Sequence, residues 1–236
     1  MLTLFKAVFR WSFRLLLLAL VALLAIQLWF AAHIAYWVKF NPSSTAFMRA
    51  RLEILRENDA NAKLRYQWTP YQRISPHLKR ALIVAEDAKF LEHRGFDWEG
   101  IRLAWERNRR EGGIVAGGST ISQQLAKNLF FSGRRTWWRK GQEAVVTIML
   151  EAMMPKQRIL EIYLNVIEWG DGVFGAEAAA RYHYGTTAAG LSAQQAARLA
   201  AMIPSPRRYG PASNTAYLRK RTAIIYARTY GVQTPQ

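Results

Sequence analysis

SPHLKRALIVAEDAKFLEHRGF, residues 75–96, sets the fold class and raises the chemical question. Ser75 followed by Pro76 reads as a helix start, with Ser as the N-cap and Pro at the first helical position. The helix is expected over 76–91. On it Leu78, Leu82, Glu86 and Phe90 recur every four residues and share a face. A carboxylate in a row of large apolar side chains is costly to bury. Burial beside Leu82, Ile83 and Phe90 would raise the pKa of Glu86 and suit it to proton transfer near neutral pH. The ordinary alternative turns Glu86 and Asp87 to solvent, with Glu86 bonded to Lys89; the apolar row argues against it. Asp87 lies about 100° further round the helix and is expected to brace the segment through hydrogen bonds.

Outward from this stretch the pattern is helix after helix. Helices are expected near 97–111, 119–131, 137–153, 157–167, 173–183, 193–202 and 215–229. Strand-like alternation is weak, so the fold class read from the pattern is mainly α. The chain has 236 residues, 51% hydrophobic and 13% aromatic, enough for one sizeable core. Its net charge of +17 calls for an anionic partner: nucleic acid, anionic lipid or a phosphorylated substrate. The absence of cysteine excludes disulfides and thiolate metal sites. His33, His77, His93 and His183 show no close metal-ligand spacing.

At the N-terminus, residues 15–32 form an apolar run whose only strongly polar member is Gln27. It extends to about Val38, long enough to cross a bilayer core. Lys6, Arg10 and Arg14 precede it, and no acid occurs before Glu53. The positive-inside rule then places the short N-terminus in the cytoplasm and the rest outside. A cleaved signal usually has a shorter apolar region, about 7–15 residues, so an uncleaved anchor is preferred. The expected organisation is an N-terminus and transmembrane anchor over 1–40, a linker and entry segment over 41–70 with a charged helical stretch at 49–56, and one folded domain over 71–236.

Three further stretches carry chemistry. In GGSTISQQLAKNLF, residues 117–130, Thr120 and Gln123 form a capping box. The glycines before the helix leave backbone N–H groups open to an anion. Gln123, Gln124, Lys127 and Asn128 make a polar stripe beside the apolar row Ile121, Leu125, Leu129. A merely solvated face would mix in acids. In GRRTWWRKGQEAVV, residues 133–146, Arg134, Arg135, Arg139 and Lys140 precede the first acid, Glu143. Arg139 and Glu143 at i,i+4 would be a weak pair on a surface, but Glu143 aligns with Val146 and Leu150 and so points inward. A carboxylate among cations stays ionised or bridges to a bound metal. Trp137 and Trp138 give the basic segment an aromatic surface, suited to anionic lipid head groups or to single-stranded nucleic acid. In PKQRILEIYLN, residues 155–165, Ile159, Leu160, Tyr163 and Leu164 form a structural face and Lys156 stands as a free cation. Ser192 with Gln195 is another capping box, a scaffold feature.

EDAKFLEHRGF, GGSTISQQLAKN, RKGQE, KQRILEIYLN and GVFGAEAAARYHYG occur in the order and spacing of the five motifs of peptidoglycan glycosyltransferases. The chain resembles the monofunctional members of that family from about Tyr71 to Arg228, with no room for a transpeptidase domain. The resemblance implies a lysozyme-like, mainly α fold with a large head and a small hydrophobic jaw that dips into the membrane. It implies an enzyme outside the cytoplasmic (inner) membrane that polymerises lipid II for the cell wall and cell shape. The acceptor's 4-hydroxyl attacks the anomeric carbon of the growing chain, undecaprenyl pyrophosphate leaves, and a β-1,4 glycan forms.

Residue by residue, Glu86 then matches the general base, and Glu143 the glutamate that assists the leaving diphosphate, directly or through Mg²⁺ or Mn²⁺. No cofactor is required for certain. Lys127, Arg139 and Lys140 match diphosphate-holding cations. Ser119, Thr120, Gln123, Gln124 and Asn128 match the cleft lining, and Asp87, Phe90, His93 and Gly95 the structural remainder of the first motif. The implied partners are lipid II, the glycan strand, membrane lipids and other cell-wall synthesis or division proteins, with no role for nucleic acid. The fifth motif usually ends Tyr-Phe-Gly-Lys. Here Tyr182-His183-Tyr184-Gly185-Thr186 lacks the lysine, so no phosphate role falls there. The alternatives are a membrane-anchored peptidoglycan hydrolase or lytic transglycosylase and a non-catalytic anionic-lipid-binding protein. Diphosphate-binding cations are unnecessary for cutting glycan, which disfavours the hydrolase.

Overall fold

A computed structural model describes residues 2–113, 117–133 and 136–236, with the side chains of 2–4 and 7–8 excepted. Arg134, Arg135 and the middle of the glycine-rich 112–118 stretch lie outside the described residues. The chain divides into two units, residues 1–40 and 41–236.

The first unit is a single helix, α1 (Leu2–Lys39). Its apolar part, Phe9–Lys39, is 31 residues long. That is about 46 Å of helix, against the ~30 Å hydrocarbon core of a bilayer. It is long and apolar enough to cross a membrane.

The second unit is mainly helical. In order it contains α2 (Ala46–Asn58), strand β1 (Arg65–Tyr66), α3 (Pro76–Glu86), α4 (Trp98–Arg110), α5 (Ile121–Phe130), α6 (Trp137–Met153) and α7 (Lys156–Val166). Strands β2 (Glu168–Gly170) and β3 (Val173–Phe174) follow, then α8 (Ala176–Tyr184), α9 (Ala193–Met202) and α10 (Ala216–Arg228). Single 3₁₀ turns occupy Tyr71–Arg73 and Pro206–Arg208.

Ser75 starts α3 as its sequence suggests: its hydroxyl accepts from His77 N at 3.3 Å and donates to Leu191 O at 2.9 Å. Leu78, Leu82 and Ile83 are fully buried, each worth about 1.5–3 kcal/mol relative to exposure. They pack on α9 and α10. The alanines of α9 (Ala196, Ala197, Ala200 and Ala201 are all buried) keep its surface thin.

The helix stops earlier than the four-residue spacing suggests. Asp87 is its C-cap, at φ −164° and ψ 74°, and Phe90 lies beyond the helix. Phe90 is nonetheless fully buried, with Lys156 Nζ 4.5 Å from its ring centre. The expected face of Leu78, Leu82, Glu86 and Phe90 is therefore helical only as far as Glu86. Residues 41–70, read from sequence as a linker and entry segment, belong to the second unit. Helix α2 packs on α5, β1 pairs in parallel with β3, and Asn165 clamps Thr69 by accepting from its N–H at 2.8 Å and donating to its carbonyl at 2.9 Å.

The sheet runs β1-β3-β2, with β2 antiparallel to β3. Gly175 ends it at φ +84°, where a Cβ would meet Asn165 O at 2.8 Å. Trp169 of β2 and Phe174 of β3 are fully buried, as is Tyr163 of the preceding α7.

Candidate active site

Two cavities meet at one hydrogen bond. A cleft of about 490 Å³ is lined by Phe47 from α2, Gln124, Lys127 and Asn128 from α5, Tyr163 from α7, and Arg207 and Arg208 from the second 3₁₀ turn. A smaller one of about 180 Å³ is lined by Glu86, Asp87, Asp97, Gly117, Gly118, Ser119 and Thr120. Gln124 Nε2 donates to Glu86 Oε2 at 2.8 Å and so joins the larger wall to the smaller.

Glu86 is half-buried at the C-terminus of α3. Burial pushes its pKa above the ordinary glutamate value. The Gln124 hydrogen bond and the Arg221 charge pull the other way, and the Asp87 charge adds to the rise. Desolvation is the largest effect, which is what a carboxyl on an apolar face predicts. Lys89, the solvent partner considered from sequence, pairs with Glu99 instead.

Asp87 faces the other way. Its Oδ2 accepts the N–H of Ile121, the first residue of α5, at 3.0 Å. Its Oδ1 lies 2.9 Å from His93 Nε2, while Gly95 N donates to His93 Nδ1 at 3.2 Å. A carboxylate at a helix N-terminus is favoured by the open N–H groups and the helix dipole. Thr120 completes the join: its hydroxyl donates to Gly95 O at 2.7 Å and accepts from Gln123 N at 3.2 Å. Gly95 has φ +92°, and a Cβ there would lie 2.9 Å from Thr147 Cγ2. Asp87, His93, Gly95 and Thr120 thus hold the end of α3 against the start of α5.

Helix α5 divides its polar side chains between structure and cavity. Gln123 turns back to accept from Thr120 N at 3.0 Å. It is buried in the capping box and lines neither cavity, contrary to the expectation that it faces the cleft. Gln124, Lys127 and Asn128 do face the larger cleft. Asn128 Nδ2 donates to Gln124 O at 2.7 Å, and Lys127 Nζ lies 6.0 Å from the Phe47 ring centre. Ser119 lines the smaller cavity.

Glu143 is buried on α6, as its alignment with Val146 and Leu150 suggests. Its Oε1 lies 3.2 Å from Arg139 Nε and its Oε2 3.4 Å from Lys140 Nζ. Arg139 also donates to Gly133 O at 2.7 Å. None of these three side chains lines either cavity. Among the described residues no three His, Asp or Glu side chains converge on a point, and Glu143 is already matched by two cations. These residues do not form a cage for a divalent ion.

Lys156, expected to stand free, is paired at 2.8 Å with Glu151, whose carboxylate also accepts from Ser122. The sequence reading passed over Arg207 and Arg208, although two cations among the turn formers of SPRRYGP, with no acid nearby, were a visible signal. It also treated Tyr163 as core alone. The ring is fully buried, but its hydroxyl donates to Gln124 Oε1 at 2.7 Å. Nothing in residues 155–165 announces that contact, because it depends on how α7 crosses α5.

The Transglycosylase family model matches residues 53–230. The biosynthetic peptidoglycan transglycosylase of Nitrosospira multiformis is 58% identical over 226 residues, covering 96% of this chain and 98% of that protein. The protein of the same name from Methylobacillus flagellatus is 60% identical over 220 residues, covering 93% and 96%. That from Laribacter hongkongensis is 58% identical over 226 residues, covering 96% and 99%. The mainly helical, lysozyme-like class expected from the motifs agrees with this match, and the chain belongs to the transglycosylase family.

Proposed function

We propose that this protein polymerises lipid II into β-1,4 glycan strands on the outer side of the cytoplasmic membrane, held there by α1. The observation that carries the mechanism is Glu86: a carboxyl with a raised pKa, half-buried between the Gly117–Thr120 loop and Gln124.

Inversion in a single displacement needs one base for the attacking hydroxyl and charge stabilisation for the leaving group. Glu86 takes the proton from the acceptor's 4-hydroxyl as that oxygen bonds to the anomeric carbon of the growing chain. The bond to the lipid diphosphate breaks with its electron pair. A diphosphate is a good leaving group, so cations replace a general acid. Lys127 supplies positive charge from the cleft wall, joined by Arg207 and Arg208. Arg139 and Lys140 line neither cavity and act at longer range from α6, where Glu143 fixes their position. Ser119 and Asn128 hydrogen-bond the sugars. Asp87, Phe90, His93 and Gly95 keep Glu86 and α5 in register, and Thr120 and Gln123 cap that helix.

Purified protein supplied with lipid II tests the reading. Lengthening glycan is expected from the wild type, and Glu86→Gln should abolish it while lipid II binding is retained. Shortening of preformed glycan with no polymerisation would favour a hydrolase. Turnover retained by Glu86→Gln would remove the general-base role.

A further inference from the structure

The base does not hold its own orientation. Glu86 is the last residue of α3, and its carboxylate receives a single side-chain hydrogen bond among the described residues, from Gln124. An ionised carboxylate only accepts hydrogen bonds. Gln124 must therefore turn its NH₂ to Glu86, which leaves its carbonyl oxygen facing α7. There it meets the hydroxyl of Tyr163 at 2.7 Å. A tyrosine hydroxyl can donate or accept, but opposite a carbonyl oxygen it can only donate. The three groups form a one-directional relay, Tyr163 to Gln124 to Glu86, reaching from the fully buried core to the junction of the two cavities.

We propose that Tyr163 is a positioning residue for the base. Its hydroxyl fixes the Gln124 amide in the orientation that offers N–H to Glu86, which holds Oε2 and leaves Oε1 for the acceptor hydroxyl. This rests on the general-base reading of Glu86. Without the Tyr163 donor the amide is free to rotate. Its oxygen then meets the ionised carboxylate, a repulsive contact that favours protonated Glu86. Burial holds the Tyr163 pKa well above the ordinary tyrosine value, so the hydroxyl remains a neutral donor throughout the working range. The charged groups facing Glu86 are Asp87 beside it and Arg221 from α10, with Asp97 across the smaller cavity. The relay adds a neutral, directional contribution to theirs.

The test uses the whole detergent-solubilised protein and lipid II, with kcat and KM measured against pH. Tyr163→Phe removes one oxygen and keeps the ring, and circular dichroism checks that the fold is retained. Losing a hydrogen bond that favours the ionised base moves the acid limb of kcat/KM upward, by about one pH unit. At neutral pH kcat falls on the order of tenfold, while KM changes less than about threefold. Gln124→Met, which keeps the length and removes the amide, shifts the limb the same way without touching the buried ring. In that background Tyr163→Phe adds no further shift, because its effect passes through the amide.

An unmoved acid limb in Tyr163→Phe overturns the proposal, and so does an equal additional shift in the Gln124→Met background. Glu86→Gln separates the two levels. If that variant polymerises, the general-base reading itself has failed. If it is dead while Tyr163→Phe leaves the limb in place, only the relay has failed.

Discussion

Replacing Asp87 by Asn changes one atom and should still unseat the join between α3 and α5. Both groups that face the carboxylate are donors. Ile121 N–H points at Oδ2 from 3.0 Å. His93 Nε2 points at Oδ1 from 2.9 Å, and its tautomer is set from behind, since Gly95 N–H donates to Nδ1. With Nδ1 as the acceptor, Nε2 of the neutral ring must carry the proton. An Asn amide offers one acceptor and one NH₂, so either flip sets donor against donor at a buried position. The cost is one lost charge-assisted hydrogen bond, plus desolvation of a donor left unpaired, together about 2–4 kcal/mol. Asp87→Ala removes both acceptors and the stabilising charge at the start of α5, about 3–5 kcal/mol. Against a typical domain stability of about 5–15 kcal/mol, either variant shifts the transition clearly. Equilibrium urea unfolding of the detergent-solubilised protein, followed by far-ultraviolet circular dichroism, measures it. A midpoint for Asp87→Asn equal to that of the wild type would refute the argument that two facing donors require a carboxylate here.

Two further outcomes follow from the same geometry. The raised pKa of Glu86, caused first by burial, means that the folded state holds this proton more tightly than the unfolded chain. Its contribution to stability is therefore lost as pH rises from the ordinary glutamate range through the raised value. Glu86→Gln should lack that decline and unfold at higher urea than the wild type at neutral pH; parallel pH profiles for the two proteins would contradict this. Glu143→Gln releases Arg139 and Lys140 from their 3.2 and 3.4 Å contacts. It should lower the rate of glycan formation on the order of 10–100-fold, and near-normal turnover would remove Glu143 from the machinery.

Local signals in the sequence carried further than periodic ones. Ser75-Pro76, Thr120 with Gln123, and Ser192 with Gln195 each mark a helix start, because an N-cap is settled within four residues. The spacing of Leu78, Leu82, Glu86 and Phe90 led past the true end of α3. Asp87 leaves the helix to reach Ile121, 34 residues on, and no window around residue 87 contains that partner. Phe90 then reaches the core by another route. The sheet was illegible for a different reason: strands of two or three residues are too short for alternation to show. In the site, residue types pointed to Glu86, Lys127 and Asn128, but not to the division of labour between neighbours. Gln123 caps its own helix while Gln124 reaches Glu86, a difference of one position and about 100° of helix rotation.

The buried carboxylate of Glu168 ties distant parts of the chain together. It accepts from Arg207 Nε at 2.9 Å and from Gly172 N at 3.2 Å, and lies 3.4 Å from Arg51 Nε. Arg51 belongs to α2, and Arg207 to the cleft floor near the other end of the chain. Ahead of α2, Asn41 accepts from Arg158 at 2.8 Å and Pro42 O accepts from Tyr66 at 3.0 Å. These contacts fix where the polypeptide can be cut. A water-soluble version made by removing the apolar helix must retain Asn41 onward. Trimming to the folded domain that sequence placed at residue 71 would discard Arg51 and Phe47, leaving Glu168 with one cation and the larger cleft without part of its wall.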